Sequence, residues 1–83
     1  MKKINIIGID ENKEHWYLCS TNSAISCMNA ITKFIAAHYK DSFKRNNVSS
    51  IKGNRIKFST PVGCQVTGNG TKKLTQIYAT YKD

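Results

Sequence analysis

Two stretches in the first third of the chain have the hydrophobic pattern of β-strands. Residues 4–9 are mostly apolar and rich in isoleucine, a β-branched residue that favours strands. Residues 14–20 alternate instead, and the polar residues 10–13 between the two stretches are typical of a turn. We therefore predict a β-hairpin. In its second strand one face carries Trp16 and Leu18, and the other carries His15, Tyr17 and Cys19.

The middle of the chain has the period of an amphipathic helix. Apolar side chains recur there at spacings of three and four, at Ile25, Met28, Ile31, Phe34, Ile35, Tyr39 and Phe43. Residues 20–23 offer polar side chains that cap a helix start, and Asn46 and Asn47 suit a helix end. The pattern predicts one helix that begins at Ala24 and ends at Arg45.

The last third predicts a second β-hairpin with one apolar face. Residues 55–67 alternate between polar and apolar side chains, and residues 68–71 are a strong turn signal. Pairing Thr67 with Lys72 makes the apolar positions of both strands coincide, with Leu74 as the exception. In that register the facing pairs are Val62 with Ile77, Thr60 with Ala79, and Phe58 with Tyr81.

Two further features complete the predicted architecture. Pro61 cannot donate a backbone hydrogen bond, so it predicts a bulge or a sheet edge at that point. Residues 48–51, before a tight turn, predict a short additional strand. The element order is β-β-α-(β)-β-β, and the predicted fold class is α+β: an antiparallel four- or five-stranded sheet with one amphipathic helix packed on one face. Residues 1–83 form a single basic α+β domain, with the other face of the sheet open to solvent.

Charge is concentrated in the second half of the chain. The net charge is +8, and residues 40–83 carry nine of the thirteen Lys and Arg against two Asp. A basic surface of this kind favours a polyanionic or acidic partner. A solvated surface that keeps a small protein soluble is the alternative explanation.

Composition excludes several other classes of protein. The chain has no apolar run of about 20 residues, so we expect no membrane association, and the apolar N-terminal stretch is too short for a secretory signal. A cytoplasmic location follows as an expectation. The cysteines, Cys19, Cys27 and Cys64, show no metal-binding spacing and are expected to stay reduced. No metal site and no cofactor are predicted.

Most of the candidate binding residues lie on the predicted open face of the sheet. Lys and Arg contact phosphates, amides reach base edges and an aromatic ring stacks on bases. This mixture predicts a nucleic-acid-binding surface, extended by cations from the helix end and the preceding loop. Its members are Arg55, Lys57, Gln65, Lys72, Lys73, Gln76, Tyr78, Lys82, Lys44, Arg45 and Lys52.

Three classes of function remain open at this stage. The first is a small non-enzymatic protein that binds nucleic acid through this basic face. The second is an inhibitor of a host defence complex, of the anti-CRISPR type carried by phages and mobile elements, which docks on an acidic protein surface. The third is a small nuclease toxin, which requires His15 and His38 to meet. A homodimer through an edge strand is also possible.

Overall fold

A computed structural model of the chain describes residues 3–22, 24–38 and 48–82. Within these ranges the chain forms one five-stranded antiparallel sheet and one helix. The elements are β1 (Lys3–Asp10), β2 (His15–Thr21), α1 (Cys27–His38), β3 (Val48–Lys52), β4 (Arg55–Val66) and β5 (Gly70–Lys82). The predicted α+β fold is confirmed, including the additional strand before β4.

The two terminal strands pair at the centre of the sheet. β1 and β5 run antiparallel, with Ile4 opposite Tyr81, Ile6 opposite Ala79 and Gly8 opposite Ile77. This pairing joins the β1–β2 hairpin to the β4–β5 hairpin, so the strand order is β2-β1-β5-β4-β3. Nothing in the local pattern of the chain predicts it.

The core lies between α1 and one face of the sheet, which we call the inner face. Its largest fully buried side chains are Ile4, Ile6, Ile31, Leu74 and Ile77. Phe34 is buried beside them, and Ile35 packs against the same cluster. The prediction that the helix uses its apolar stripe as core is therefore confirmed for the described helical turns.

The helix begins later than predicted. Its first residue is Cys27 rather than Ala24, because Ser26 is the residue that caps it. The Ser26 hydroxyl accepts a hydrogen bond from the Asn29 N–H at 3.1 Å, and the Ser26 carbonyl accepts one from Ala30 at 2.9 Å. Ile25 consequently precedes the helix and is 83% exposed. The predicted helical residues 39–45 lie outside the described ranges.

The predicted register of the β4–β5 hairpin is wrong. Val62 lies opposite Leu74 rather than Ile77, and Ile77 lies opposite Ile56. The ladder is irregular between Lys57 and Val62, which is the bulge that Pro61 predicts. Leu74, the exception in the predicted register, is fully buried, whereas Thr60 is exposed and Tyr81 is half exposed.

A second irregularity changes the faces of β2. Ile6 lies opposite Cys19 and Ile7 lies opposite Tyr17, so Leu18 is an extra residue on this strand. Leu18 and Cys19 both pack against the core as a result. The prediction that Cys19 shares a face with Tyr17 is therefore wrong.

Burial of Phe34 leads to a test of the helix packing. Phe34→Ala removes a side chain that is 8% exposed and should lower the free energy of unfolding by about 3–5 kcal/mol. Ile25→Ala, at a position that is 83% exposed, should change it by no more than about 0.5 kcal/mol. Urea unfolding of both variants measures the difference. An unchanged midpoint for Phe34→Ala would show that another helix face is buried.

Gly8 lies directly against Leu74, a fully buried side chain of β5. A Cβ atom at this position would be 2.6 Å from Leu74 Cδ1 and 2.8 Å from Leu74 Cδ2. Such distances are too short for packed carbon atoms, so β1 and Leu74 fit together only because residue 8 has no side chain.

This close approach predicts coupling between the two positions. Gly8→Ala should destabilise by about 1–3 kcal/mol through overpacking, and Leu74→Ala by about 2–5 kcal/mol through the cavity it leaves. The double variant should lose less than the sum, because the new methyl group occupies space that Leu74 vacates. Gly63→Ala is the control, since its Cβ would lie 3.7 Å from Thr71. Strict additivity in thermal unfolding would contradict this packing.

Candidate functional site

The face of the sheet opposite α1, here called the open face, carries two parallel rows of side chains. The first row crosses four strands and consists of Tyr17, Ile7, Tyr78 and Arg55. The second row lies beside it and consists of His15, Ile9, Gln76 and Lys57. Each row takes one residue from β2, β1, β5 and β4 in turn. Polar and aromatic side chains thus surround two isoleucines on one continuous surface.

Tyr78 is the centre of a contact network on this face. Its hydroxyl is 2.8 Å from His15 Nδ1, and the two rings meet edge to face with centroids 5.6 Å apart. The guanidinium carbon of Arg55 lies 5.1 Å from the centroid of the tyrosine ring, a cation–π contact. Arg55 Nη1 also donates to Gln76 Oε1 at 2.7 Å. These contacts hold the arginine and the ring in one arrangement.

Tyr17 occupies the other end of the same row. It is 57% exposed, and its hydroxyl hydrogen-bonds the Ser20 hydroxyl, which donates to Asn5 Oδ1 at 2.6 Å. Tyr17 and Tyr78 both flank Ile7, one strand away on either side. Because neighbouring strands are about 4.8 Å apart, the backbones of the two tyrosines stand about 10 Å from each other.

A basic cleft adjoins the rows at the β3–β4 hairpin. It has a volume of about 350 Å³ and is lined by Ser50, Lys52, Asn54, Arg55 and Lys57. Lys52 lies opposite Arg55, and Ser50 lies opposite Lys57, across the two strands. The cleft therefore brings together three cations and a hydroxyl, and none of its lining residues is acidic.

The remaining predicted residues of this face lie at its ends. Lys82 pairs with Lys3 beyond the aromatic row, while Lys73 and Gln65 lie near the β4–β5 turn. Among the described residues, the acidic side chains are Asp10, Glu11 and Glu14, all in or next to the β1–β2 turn. Lys44 and Arg45, predicted to extend the surface from the helix, lie outside the described residues.

Lys72 does not belong to the open face, contrary to the prediction. It pairs with Cys64, two residues from Leu74 on the inner side, and its ammonium lies 4.5 Å from the centroid of the Trp16 ring. The cause is the irregularity at Thr75, where Asp10 pairs with Leu74 and Ile9 pairs with Gln76. The extra residue reverses the alternation of β5, so the residues before it face the opposite way.

Asp10 organises the β1–β2 turn. Its carboxylate accepts hydrogen bonds from the N–H groups of Asn12 and Glu14 at 2.8 and 2.9 Å, and from Trp16 Nε1 at 2.8 Å. The bond from Trp16 and those from the backbone, with the nearby Lys72 ammonium, lower the pKa of Asp10, although burial opposes the shift. The Asp10 carboxylate thus has a structural role in the turn.

Within the described part of the chain, the other chemistry-bearing side chains form no further site of comparable definition. Cys19 and Cys64 line a cleft of about 300 Å³ beside Phe34 on the inner face. Burial, with a smaller effect of Cys64, raises the pKa of the Cys19 thiol, which makes it a poor nucleophile. No group of three or more metal-ligating side chains occurs within residues 3–22, 24–37 and 48–82. The side chain of His38 lies outside the described part of the chain.

Comparison with known proteins identifies no relative of this chain and no similar fold. The chain matches no protein-family model, no curated protein and no solved structure. Among the described residues, no helix is long and apolar enough to cross a membrane.

Sequence reasoning identified one half of the open face and missed the other. Arg55, Lys57, Gln76 and Tyr78 lie together as predicted, and Lys52 lines the adjoining cleft. The residues that β1 and β2 place in the two rows were missed, because their position beside β5 depends on the pairing of β1 with β5. The alternation of residues 14–20 does show that His15 and Tyr17 share a face, but it does not show which residues that face adjoins.

The contacts of Asp10 predict a pH dependence of stability. In Asp10→Asn the side-chain oxygen can still accept the backbone hydrogen bonds of the turn, but the amide N–H group then faces the N–H donor of Trp16. Because two donors cannot pair, the Tm of this variant should be lower than that of the wild type at neutral pH. The folded state lowers the pKa of Asp10. The stability that the wild type gains over Asp10→Asn is therefore complete above the pKa of an Asp carboxyl in the unfolded chain, about 3.9. That advantage should shrink as pH falls below this value through the folded pKa.

Thermal melts across the acid range measure this effect. Glu11→Gln is the matched control, since it removes one carboxylate from an exposed position of the same turn. Its Tm should follow that of the wild type at every pH. A Tm difference between Asp10→Asn and wild type that persists unchanged at low pH would show that the charge of Asp10 does not stabilise the fold.

Proposed function

We propose that this chain is a non-enzymatic protein that binds single-stranded nucleic acid through the open face of its sheet. The observation that carries the proposal is the row of Tyr17, Ile7, Tyr78 and Arg55 beside the basic cleft. Stacking surfaces and cations adjoin each other there, which is the combination that single-strand binders use.

The two tyrosines supply the stacking surfaces. Each ring offers its face to one base, and Ile7 is the apolar residue between the two strand positions. Tyr17 is the more exposed ring, while Tyr78 is held by His15 and Arg55. Stacking of neighbouring base pairs in a duplex covers the base faces, so a surface of this kind favours unpaired strands.

The cations supply the electrostatic contribution. Arg55, Lys57 and Lys52 lie at the β4 end of the rows, whereas the described carboxylates lie in the β1–β2 turn. A strand that crosses the face from Tyr17 toward Arg55 would carry its backbone into the basic end. Contacts with phosphates release counterions, so binding of this kind weakens steeply with salt.

A salt titration tests the phosphate contacts. The logarithm of affinity for a short labelled oligonucleotide should fall linearly with the logarithm of salt concentration, by about 0.7 per neutralised phosphate. The Arg55→Ala/Lys57→Ala variant should flatten this slope by about 1.4, the value for two contacts. Fluorescence anisotropy with DNA and RNA oligonucleotides of the same sequence gives both slopes.

The control for charge alone is the Lys13→Ala/Lys33→Ala variant. It removes the same charge from exposed positions on the turn and the helix, and its slope should equal that of the wild type. Equal slopes for all three proteins would refute the phosphate contacts. Oligonucleotides recovered at full length would agree with binding, and cleavage would favour the nuclease alternative.

Stacking predicts a separate loss that salt does not change. Tyr17→Ala should weaken binding by about 1–3 kcal/mol at each salt concentration, whereas Tyr17→Phe keeps the ring and should bind like the wild type. Tyr81→Ala is the control on the inner side of β5, since Tyr81 lies opposite the core residue Ile4. Equal affinities for Tyr17→Ala and wild type would remove this ring from the interface.

Failure to bind any oligonucleotide near physiological salt would favour the protein-inhibitor alternative. In that case affinity purification after nuclease treatment should still recover one stoichiometric protein partner. A few buried anchors would then dominate affinity, and charges at the rim would mainly change the association rate.

A further inference from the structure

We infer that the basic cleft at the β3–β4 hairpin is a binding site for a phosphate monoester, either the terminal phosphate of a nucleic-acid strand or that of a free nucleotide. The inference deepens the proposed function and rests on it for the identity of the ligand. It gives Ser50, Lys52, Arg55 and Lys57 a specific role, which is to bind one phosphate monoester rather than to attract a polyanion in general.

The charge of the cleft exceeds what an internal phosphate requires. Lys52, Arg55 and Lys57 line one opening of about 350 Å³, and no acidic side chain lines it. A backbone phosphodiester carries one negative charge, whereas a phosphate monoester carries about −1.5 to −2 at pH 7. Three cations around one small opening are therefore matched better by a terminal phosphate than by an internal one.

Two residues of the cleft, Arg55 and Asn54, are also held in position. Arg55 is oriented by its hydrogen bond to Gln76 and by its contact with the Tyr78 ring. The planar guanidinium group has several N–H donors and suits two oxygens of one phosphate. Asn54 Nδ2 donates to the Ala79 carbonyl at 2.6 Å, and the Asn54 carbonyl accepts from the Ala79 N–H at 3.0 Å. The hairpin turn at Gly53, with φ of 61°, is thereby tied to β5.

The cleft adjoins the stacking surface through a shared residue. Arg55 both lines the cleft and lies over Tyr78, so a phosphate in the cleft brings its own nucleotide next to that ring. The volume of about 350 Å³ is at the lower end of small-ligand pockets, which are roughly 300–1,000 Å³. It accommodates a phosphate with part of its sugar rather than a length of strand.

The experiment compares oligonucleotides that differ only in their ends. One labelled sequence is prepared with 5′-hydroxyl and 3′-hydroxyl ends, with a 5′-phosphate, and with a 3′-phosphate, and affinities are measured by anisotropy at fixed salt. We expect one of the two terminal phosphates to raise affinity about tenfold, the gain of one additional charge-assisted contact. Adenosine and uridine monophosphates serve as the free-nucleotide arm, as competitors and in NMR titrations.

Lys52→Ala isolates the cleft from the rest of the face. This variant should reduce the tenfold gain in affinity from the terminal phosphate to about twofold or less. The NMR shifts that monophosphates cause at residues 50–57 should disappear in the same variant. Lys73→Ala is the matched control, because it removes one exposed lysine from the same face but outside the cleft. It should weaken all oligonucleotides equally and keep the gain.

The outcomes separate the inference from the proposed function. Equal affinity for all three oligonucleotides, with no effect of the monophosphates, would overturn the monoester site and leave single-strand binding intact. Monophosphate binding without oligonucleotide binding would support the cleft as a free-nucleotide site and overturn the strand-binding proposal. Absence of all binding would overturn both.

Discussion

The antiparallel pairing of β1 with β5 is the constraint on which the rest of the molecule depends. It connects two local hairpins into one sheet and creates the inner face that α1 covers. It also completes the open face, because Tyr17 and His15 reach Tyr78 and Gln76 only across β1. The residues that pair are separated by almost the whole chain, so their contact closes a large loop at a considerable entropic cost.

The bulges decide which side chains reach which face. The extra residue at Thr75 turns Leu74 into the core and Lys72 toward Trp16, and Thr75 itself is held by a hydrogen bond from its Oγ1 to the Ile9 carbonyl at 3.2 Å. The extra residue at Leu18 lets two successive side chains of β2 pack on the core. Without the extra residue at Thr75, Leu74 and Lys72 would both lie on the open face, and Leu74 would be exposed.

Sequence reasoning succeeded where structure is local. The helical stripe, the two hairpins and the short strand before β4 follow from periodicity and turn residues, and so does the grouping of Arg55, Lys57, Gln76 and Tyr78. It failed at the register, because alternation says nothing about an inserted residue. Two signals were available: Pro61, which predicts a bulge in β4, and Leu74, an apolar residue out of phase with its strand. The helix start at Ser26 was missed because several polar residues before it offered equivalent caps.

The contact of Lys72 with Trp16 has a practical consequence. Trp16 is the only tryptophan of the chain, and it contacts Asp10 and Lys72 on the side of the sheet that faces away from the two rows. Its fluorescence therefore reports on the closure of the β1–β2 turn and the order of the inner face. The protein thus carries a natural optical probe of its folded state, on the opposite side of the sheet from the open face.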